Sequence, residues 1–73
     1  MMERSRRFTI SKEGIGFFKA ILESYEDVGI FSVLDGKAGI IEVIYPVPFE
    51  KEVESIMKDM ARYGIEISEV LYA

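Results

Sequence analysis

Two amphipathic helical segments, separated by β-rich runs, constrain the fold of this 73-residue chain more than any other feature. In each segment the apolar residues recur at spacings of three, four and seven, so they share one face of a helix. The first stripe comprises Phe17, Phe18, Ile21, Leu22, Tyr25 and Val28, and the second comprises Phe49, Val53, Ile56, Met57 and Met60. Gly29 and Gly64 follow the two stripes, and a glycine there can adopt the left-handed conformation that ends a helix. The pattern therefore predicts two helices, each with one apolar face.

β-rich runs precede and separate the two helices. Residues 8–10 alternate apolar and polar before a turn cluster at residues 11–16, which predicts a short first strand. Residues 30–34 and 40–45 are rich in β-branched side chains. The glycines and the Asp-Gly pair of residues 35–39 suit a hairpin connection, so these two runs are predicted to be paired strands.

The remaining elements complete the order of the fold. The second helix is predicted to begin near Pro48, because Pro46 and Pro48 interrupt the sheet and proline suits a first helical turn. Residues 65–69 alternate strictly and continue through Tyr72 as a last strand. The order strand, helix, strand, strand, helix, strand predicts an α+β, ferredoxin-like fold, a four-stranded antiparallel sheet with both helices on one face. No linker or repeat divides the chain, so residues 1–73 are expected to form one domain.

The second face of such a sheet has no helix to cover it. If Phe31 and Val33 point towards the helices, then Ile30, Ser32 and Leu34 point outwards. On the next strand, the outward set is either Ile41, Val43 and Tyr45 or Ile40, Glu42 and Ile44. Either set exposes apolar area, which usually marks a partner site. We therefore expect a homo-oligomer, most simply a two-fold dimer; a monomer with an apolar sheet face is the alternative. The predicted interface residues are Ile30, Leu34, Ile40 and Ile44.

The composition argues against catalysis. The chain contains no histidine, cysteine, asparagine, glutamine or tryptophan. It therefore lacks the usual general base near neutral pH, the usual nucleophile pairs and the soft metal ligands. Acidic residues cluster at residues 23–27 and 50–54, but acids favour a helix N-terminus and are ordinary on a solvated surface. We expect no enzymatic activity, no cofactor and no metal site.

Charge and hydropathy indicate the environment of the protein. The net charge of −4 argues against binding the nucleic-acid backbone, which needs a positive surface; only Arg4, Arg6 and Arg7 make a locally basic segment. No apolar stretch is long enough for a signal peptide or a membrane span, so we expect no membrane partner and a cytoplasmic location. The missing amides, with many Ile, Glu, Lys and Arg residues, are typical of a thermophilic source.

The segment from Glu13 to Ile30 resembles the opening of ACT domains, which are small ferredoxin-like modules. Gly16, Phe17 and Phe18 occupy the family's glycine and two large aliphatic positions, and Gly29-Ile30 follows at the matching distance. The chain departs from the family pattern at Ile15, where ACT domains have proline, in its two aromatic residues, and at Phe31, where a polar residue often follows the Gly-Ile pair. The size and layout also resemble stand-alone bacterial domains of unknown function. The ACT resemblance implies a module that binds amino acids and regulates attached or partner proteins.

The candidate ligand-binding residues lie where the first strand leads into the first helix. They are Ser11, Glu13, Gly14 and Gly16. Backbone amides beside glycine can approach a carboxylate, and the helix N-terminus favours negative charge; Ser11 or Glu13 can take an amino group. The alternative is that the glycines only permit a tight turn, with Ser11 as the N-cap.

Two functions of different classes therefore remain. The first is a homo-oligomeric regulatory module that binds an amino acid or a small anion at the first loop. The second is a protein–protein interaction module that uses the open sheet face and has no small ligand.

Overall fold

The computed structural model describes residues 2–25 and 28–71. Its elements are β1 (Glu3–Ile10), α1 (Lys12–Ser24), β2 (Ile30–Asp35), β3 (Ile40–Pro46), a 3₁₀ turn (Val47–Phe49), α2 (Glu50–Arg62) and β4 (Ile67–Glu69). The strands form one antiparallel sheet in the order β2-β3-β1-β4. This order confirms the α+β, ferredoxin-like fold.

The core lies between the helices and one face of the sheet. Its buried side chains come from both helices, from the segment that follows α1, and from alternate positions of β1 and β3. They are Phe8, Ile10, Phe18, Leu22, Val28, Ile41, Val43, Tyr45, Val53, Ile56 and Met60. The apolar stripe of α2 is confirmed in full, since Phe49 and Met57 pack against the same core. Phe17 was predicted to belong to the stripe of α1, but it is 38% exposed, and its ring lies tilted against that of exposed Tyr63, with 5.2 Å between the ring centroids.

The first half of the chain differs from the predicted boundaries at three points. β1 begins at Glu3, five residues earlier than predicted, because Arg4 and Arg6 pair across the sheet with β3. α1 begins at Lys12, so most of the predicted turn cluster is already helical. α1 also ends at Ser24 rather than next to Gly29. The Gly29 prediction was wrong: its φ is not positive, and a Cβ there would lie 2.6 Å from the carbonyl oxygen of Ile44. Gly29 is therefore required by close packing against β3.

The predictions for the second half hold more closely. Gly64 has a φ of +77° after the end of α2, as predicted for a helix-ending glycine. In the β2–β3 connection, Asp35 Oδ1 accepts hydrogen bonds from the amides of Lys37 and Ala38, each at 3.0 Å. β4 is shorter than predicted and begins at Ile67, although the Val70 amide still donates to the Arg7 carbonyl. Tyr72, the predicted end of this strand, lies outside the described residues.

Candidate functional site

The register of the sheet decides which residues of β3 face outwards. Ile41, Val43 and Tyr45 are fully buried against the helices, so Ile40, Glu42 and Ile44 point to the open face. This result selects one of the two alternatives that the sequence left open.

The neighbouring strand presents its own residues on the same face. Ile30 lies opposite Ile44 and Ser32 lies opposite Glu42, while a register shift between Val33 and Asp35 makes Asp35 the partner of Ile40 and leaves Leu34 as the extra residue between them. Three of the predicted interface residues, Ile30, Ile40 and Ile44, therefore lie on the open face, and Leu34 lies at the register shift beside them. We call Ile30, Leu34, Ile40 and Ile44 the open-face patch. Ile30 is 64% exposed and Leu34 is 46% exposed, whereas the other two are half-buried.

A polar network borders the open-face patch on the side of β1. The Glu42 carboxylate accepts hydrogen bonds from the Ser5 hydroxyl and from Arg7 Nε, both at 2.9 Å. The bond from Arg7, and then that from Ser5, holds the pKa of Glu42 below its usual value. Glu42 is therefore a carboxylate at neutral pH. The open face thus has an apolar half on β2 and β3 and a polar half on β1.

A second network lies on the helix side of the sheet and has Arg6 at its centre. We call Arg6, Tyr45, Glu50, Glu54 and Glu69 the Arg6 cluster. The Arg6 guanidinium donates to Glu69 at 2.6 and 3.1 Å and to Glu54 at 2.7 Å, and it lies 3.5 Å from Glu50. The Tyr45 hydroxyl donates to Glu50. These bonds join β1 and β3 to β4 and to the first turns of α2.

The pKa values in the Arg6 cluster follow from these bonds. The hydrogen bond to Glu69 contributes most to raising the pKa of Arg6, and the same bond lowers the pKa of Glu69. Burial, followed by the bond to Glu50, raises the pKa of Tyr45. These hydrogen bonds link groups on β1, β3, β4 and α2, so the cluster holds these elements together. Among the described residues, no group of three acidic side chains is placed to hold a metal ion.

The predicted ligand-binding residues lie at the start of α1 rather than in a loop. Ser11 precedes the helix and makes no side-chain capping bond, while Glu13 is exposed in the first turn. Gly14 is buried, and a Cβ there would lie 2.5 Å from Ile65 Cγ2, so its packing against β1 and the α2–β4 connection requires glycine. Gly16 is exposed, and no atom lies within 4 Å of the position that its Cβ would take. Three of the four residues can therefore be reached from solvent.

Two features of the site were not predicted, although the sequence contains a signal for them. Arg4, Arg6 and Phe8 alternate with period two, which extends β1 and places both arginines on the helix side of the sheet. The same alternation places Ser5 and Arg7 on the open face beside Glu42. The first part of β1 was not predicted because its alternate positions are arginines, which do not contribute to a pattern of apolar residues.

The fold and the open face define a small ferredoxin-like α+β domain whose sheet is covered by helices on one side only. Residues 8–63 match the model of a family described as a domain of unknown function (DUF4911), and the chain belongs to that family. The family's description does not name it as an ACT domain. Neither a curated protein nor a solved structure matches the chain. Within the described residues, no helix has the length and apolar character needed to cross a membrane.

Proposed function

We propose that this chain is a non-catalytic interaction domain that associates with a second copy of itself through the open face of its sheet. The observation that supports the proposal is the open-face patch. Ile30, Ile40 and Ile44 occupy outward positions on β2 and β3, Leu34 is exposed at the register shift beside them, and no element among the described residues covers this surface. Contiguous exposed apolar surface of this kind is typical of a protein–protein contact.

The expected strength of this association follows from the area of the patch. The apolar half covers only part of a molecule that measures 33 × 29 × 17 Å. An interface confined to that half is smaller than the roughly 800 Å² per partner of a standard stable complex. We therefore expect a reversible dimer, with a Kd on the order of micromolar or weaker.

The composition and the pairing of charges support the non-catalytic part of the proposal. The chain has neither histidine nor cysteine. The Glu42 carboxylate on the open face is held by Arg7, and the Glu69 carboxylate on the helix side is held by Arg6. A group held in this way is poorly placed to exchange protons with a substrate.

Substitution of the patch tests the proposal by sedimentation equilibrium. Ile44→Ser and Ile30→Ser should each shift the equilibrium from dimer towards monomer, because each removes apolar area from the contact. Tyr63→Ser is the matched control, since Tyr63 is 67% exposed on the helix side, and its mass distribution should equal that of the parent protein. If all three variants retain the parent's association, the open face is not the interface.

A second candidate function is the binding of an amino acid or a small anion at the start of α1. Two observations favour it: the Ser11 side chain makes no capping bond, and the space above Gly16 is open. Backbone amides at a helix start can bind a carboxylate, and exposed Glu13 can accept a bond from an amino group. With such a ligand, the domain would act as the regulatory module that the ACT resemblance implies.

An amide NMR titration tests this second function. A pool of amino acids and small anionic metabolites should shift the signals of residues 11–18 saturably in the parent protein. Gly16→Val should abolish those shifts, whereas Ala20→Val, an exposed position one turn further along α1, should leave them intact. A spectrum that the pool does not change would reject ligand binding and leave self-association as the only proposal.

A further inference from the structure

We propose that two copies stack open face to open face about a two-fold axis that runs along the boundary between β2 and β3, so that β2 of each copy covers β3 of the other. This inference rests on the proposed self-association and specifies its geometry. The occupant of the open face is a second copy of this chain.

The arrangement of the open-face residues in rows supports this axis. Two regular rows cross the two strands on this face, Ile30 beside Ile44 and Ser32 beside Glu42. A register shift follows, where Ile40 pairs with Asp35 and Leu34 is the extra residue of β2. A two-fold axis along the strand boundary exchanges the two members of every row. Ile30 then packs on the partner's Ile44, and the shifted segment of Leu34 and Asp35 lies over the partner's Ile40. The apolar patch is thus complementary to itself, as a two-fold interface requires.

The polar row is also complementary about this axis. Ser32 lies over the partner's Glu42, so its hydroxyl can donate a hydrogen bond to that carboxylate. Glu42 already accepts bonds from Ser5 and Arg7 and is charged at neutral pH. A carboxylate has about four acceptor sites, so it can accept a third bond. The two copies would form two such bonds, one on each side of the axis.

A two-fold axis across the strands is less favourable. It would also superimpose apolar rows, since Ile40 would meet the partner's Ile44. However, it would place Glu42 directly against the partner's Glu42. Two carboxylates brought together in a partly desolvated interface repel each other. Charge therefore selects the axis along the strands.

The proposed axis also leaves the polar half of the open face in water. β1 lies beyond the edge of the overlapped strands, because the sheet order places it on the far side of β3. Arg7, whose side chain is 41% exposed, then stays at the rim with its bond to Glu42 unbroken. The interface thus has an apolar centre and a charged rim, as is usual for protein–protein contacts.

Isotope-filtered NMR on a mixture of labelled and unlabelled copies tests this geometry without altering the chain. The proposal predicts contacts between copies from Ile30 methyl groups to Ile44 and from Leu34 methyl groups to Ile40. Contacts between copies from Ile30 to Leu34 and from Ile40 to Ile44 would instead establish the axis across the strands and overturn the inference. A dimer without contacts between copies at any of these methyl groups would overturn it as well.

Removal of the Ser32 hydroxyl supplies a second test. Ser32→Ala should raise the dimer Kd about tenfold, since two hydrogen bonds to carboxylates are lost per dimer. Thr9→Ala removes a hydroxyl from the open face of β1, outside the overlap, and should change the Kd by less than about twofold. Equal effects of the two substitutions would contradict the predicted Ser32–Glu42 contact. If the parent protein is monomeric at every concentration, the proposed function fails; if it dimerises with the other contacts, only this geometry fails.

Discussion

Two glycines only two residues apart on α1 meet different surroundings. Gly14 faces Ile10 and Ile65 at contact distance, whereas Gly16 faces solvent. Gly14→Ala should therefore destabilise the protein, because its Cβ would force Ile65 to move. Gly16→Ala should stabilise it by about 0.5–1 kcal/mol, because alanine loses less backbone entropy in a helix. Urea denaturation measures the change in the free energy of unfolding of each variant. Changes of the same sign would contradict the close packing described around Gly14.

Arg6 is the cation at the centre of the Arg6 cluster. Its side chain is only 14% exposed and contacts three carboxylates. Arg6→Met should lower the free energy of unfolding by about 2 kcal/mol or more, because Glu54 and Glu69 would lose their cation, while Glu50 would keep its bond from Arg4.

Arg62→Met is the matched control for this measurement. Arg62 is 80% exposed and lies 3.5 Å from Asp59, so its loss should cost less than about 0.5 kcal/mol. Chemical denaturation at neutral pH compares the two variants. Similar losses from both would mean that the Arg6 cluster contributes no more than a surface ion pair.

At the scale of elements, the periodicity of apolar residues determined what could be predicted. The α2 stripe and the β2–β3 hairpin were predictable, because each buries one regular face. The start of β1 was not predictable from periodicity, because the residues before Phe8 that face the helices are arginines. Their charges are paired with acidic residues that lie far away in the sequence. The end of α1 was mispredicted because a glycine after an apolar stripe can either end a helix or allow the backbone to pack closely against another strand. The sequence alone does not distinguish these two roles of Gly29.

Acid should weaken the ion pairs that join neighbouring strands and so lower the stability of the protein. Glu69 joins β4 to β1, and its pKa is lowered by the hydrogen bond from Arg6; the pKa of Glu42 is lowered by Arg7. When the pKa of a carboxyl group is lower in the folded protein than in the unfolded chain, acid protonates the unfolded chain more readily and so favours unfolding. The contribution of these groups to stability is therefore complete above the ordinary glutamate value of 4.5 and is lost as the pH falls through the lower folded values.

Thermal unfolding between about pH 7 and pH 3 measures this dependence. The midpoint should be nearly constant near neutral pH and should fall below about pH 4.5. Glu69→Gln should reduce the slope in the acid range, because the group that titrates is removed. Glu23→Gln, an exposed position on α1, is the control and should leave the slope unchanged. An unchanged slope in Glu69→Gln would contradict the assigned role of the Arg6–Glu69 bond.

At the scale of the whole molecule, the sequence predicted that one sheet face would be uncovered but not which side of β3 it would include. β3 is apolar at almost every position, including Ile40, Ile41, Val43 and Ile44. Alternation of apolar and polar residues therefore does not show which side chains of this strand face the helices. The register with β1 resolves the ambiguity, because Phe8 lies opposite Ile41 and faces the core. The polar network of Ser5, Arg7 and Glu42 depends on the same register. The open-face patch was therefore predictable as a set, and its orientation only from the structure.

Sedimentation equilibrium of the unmodified protein over a wide concentration range shows whether this domain associates with itself. We predict that the average mass rises from the 8.3 kDa of one chain towards twice that value as the concentration passes through the micromolar range. A mass that stays at 8.3 kDa up to about millimolar concentration would contradict self-association and leave the open-face patch without a second copy to cover it.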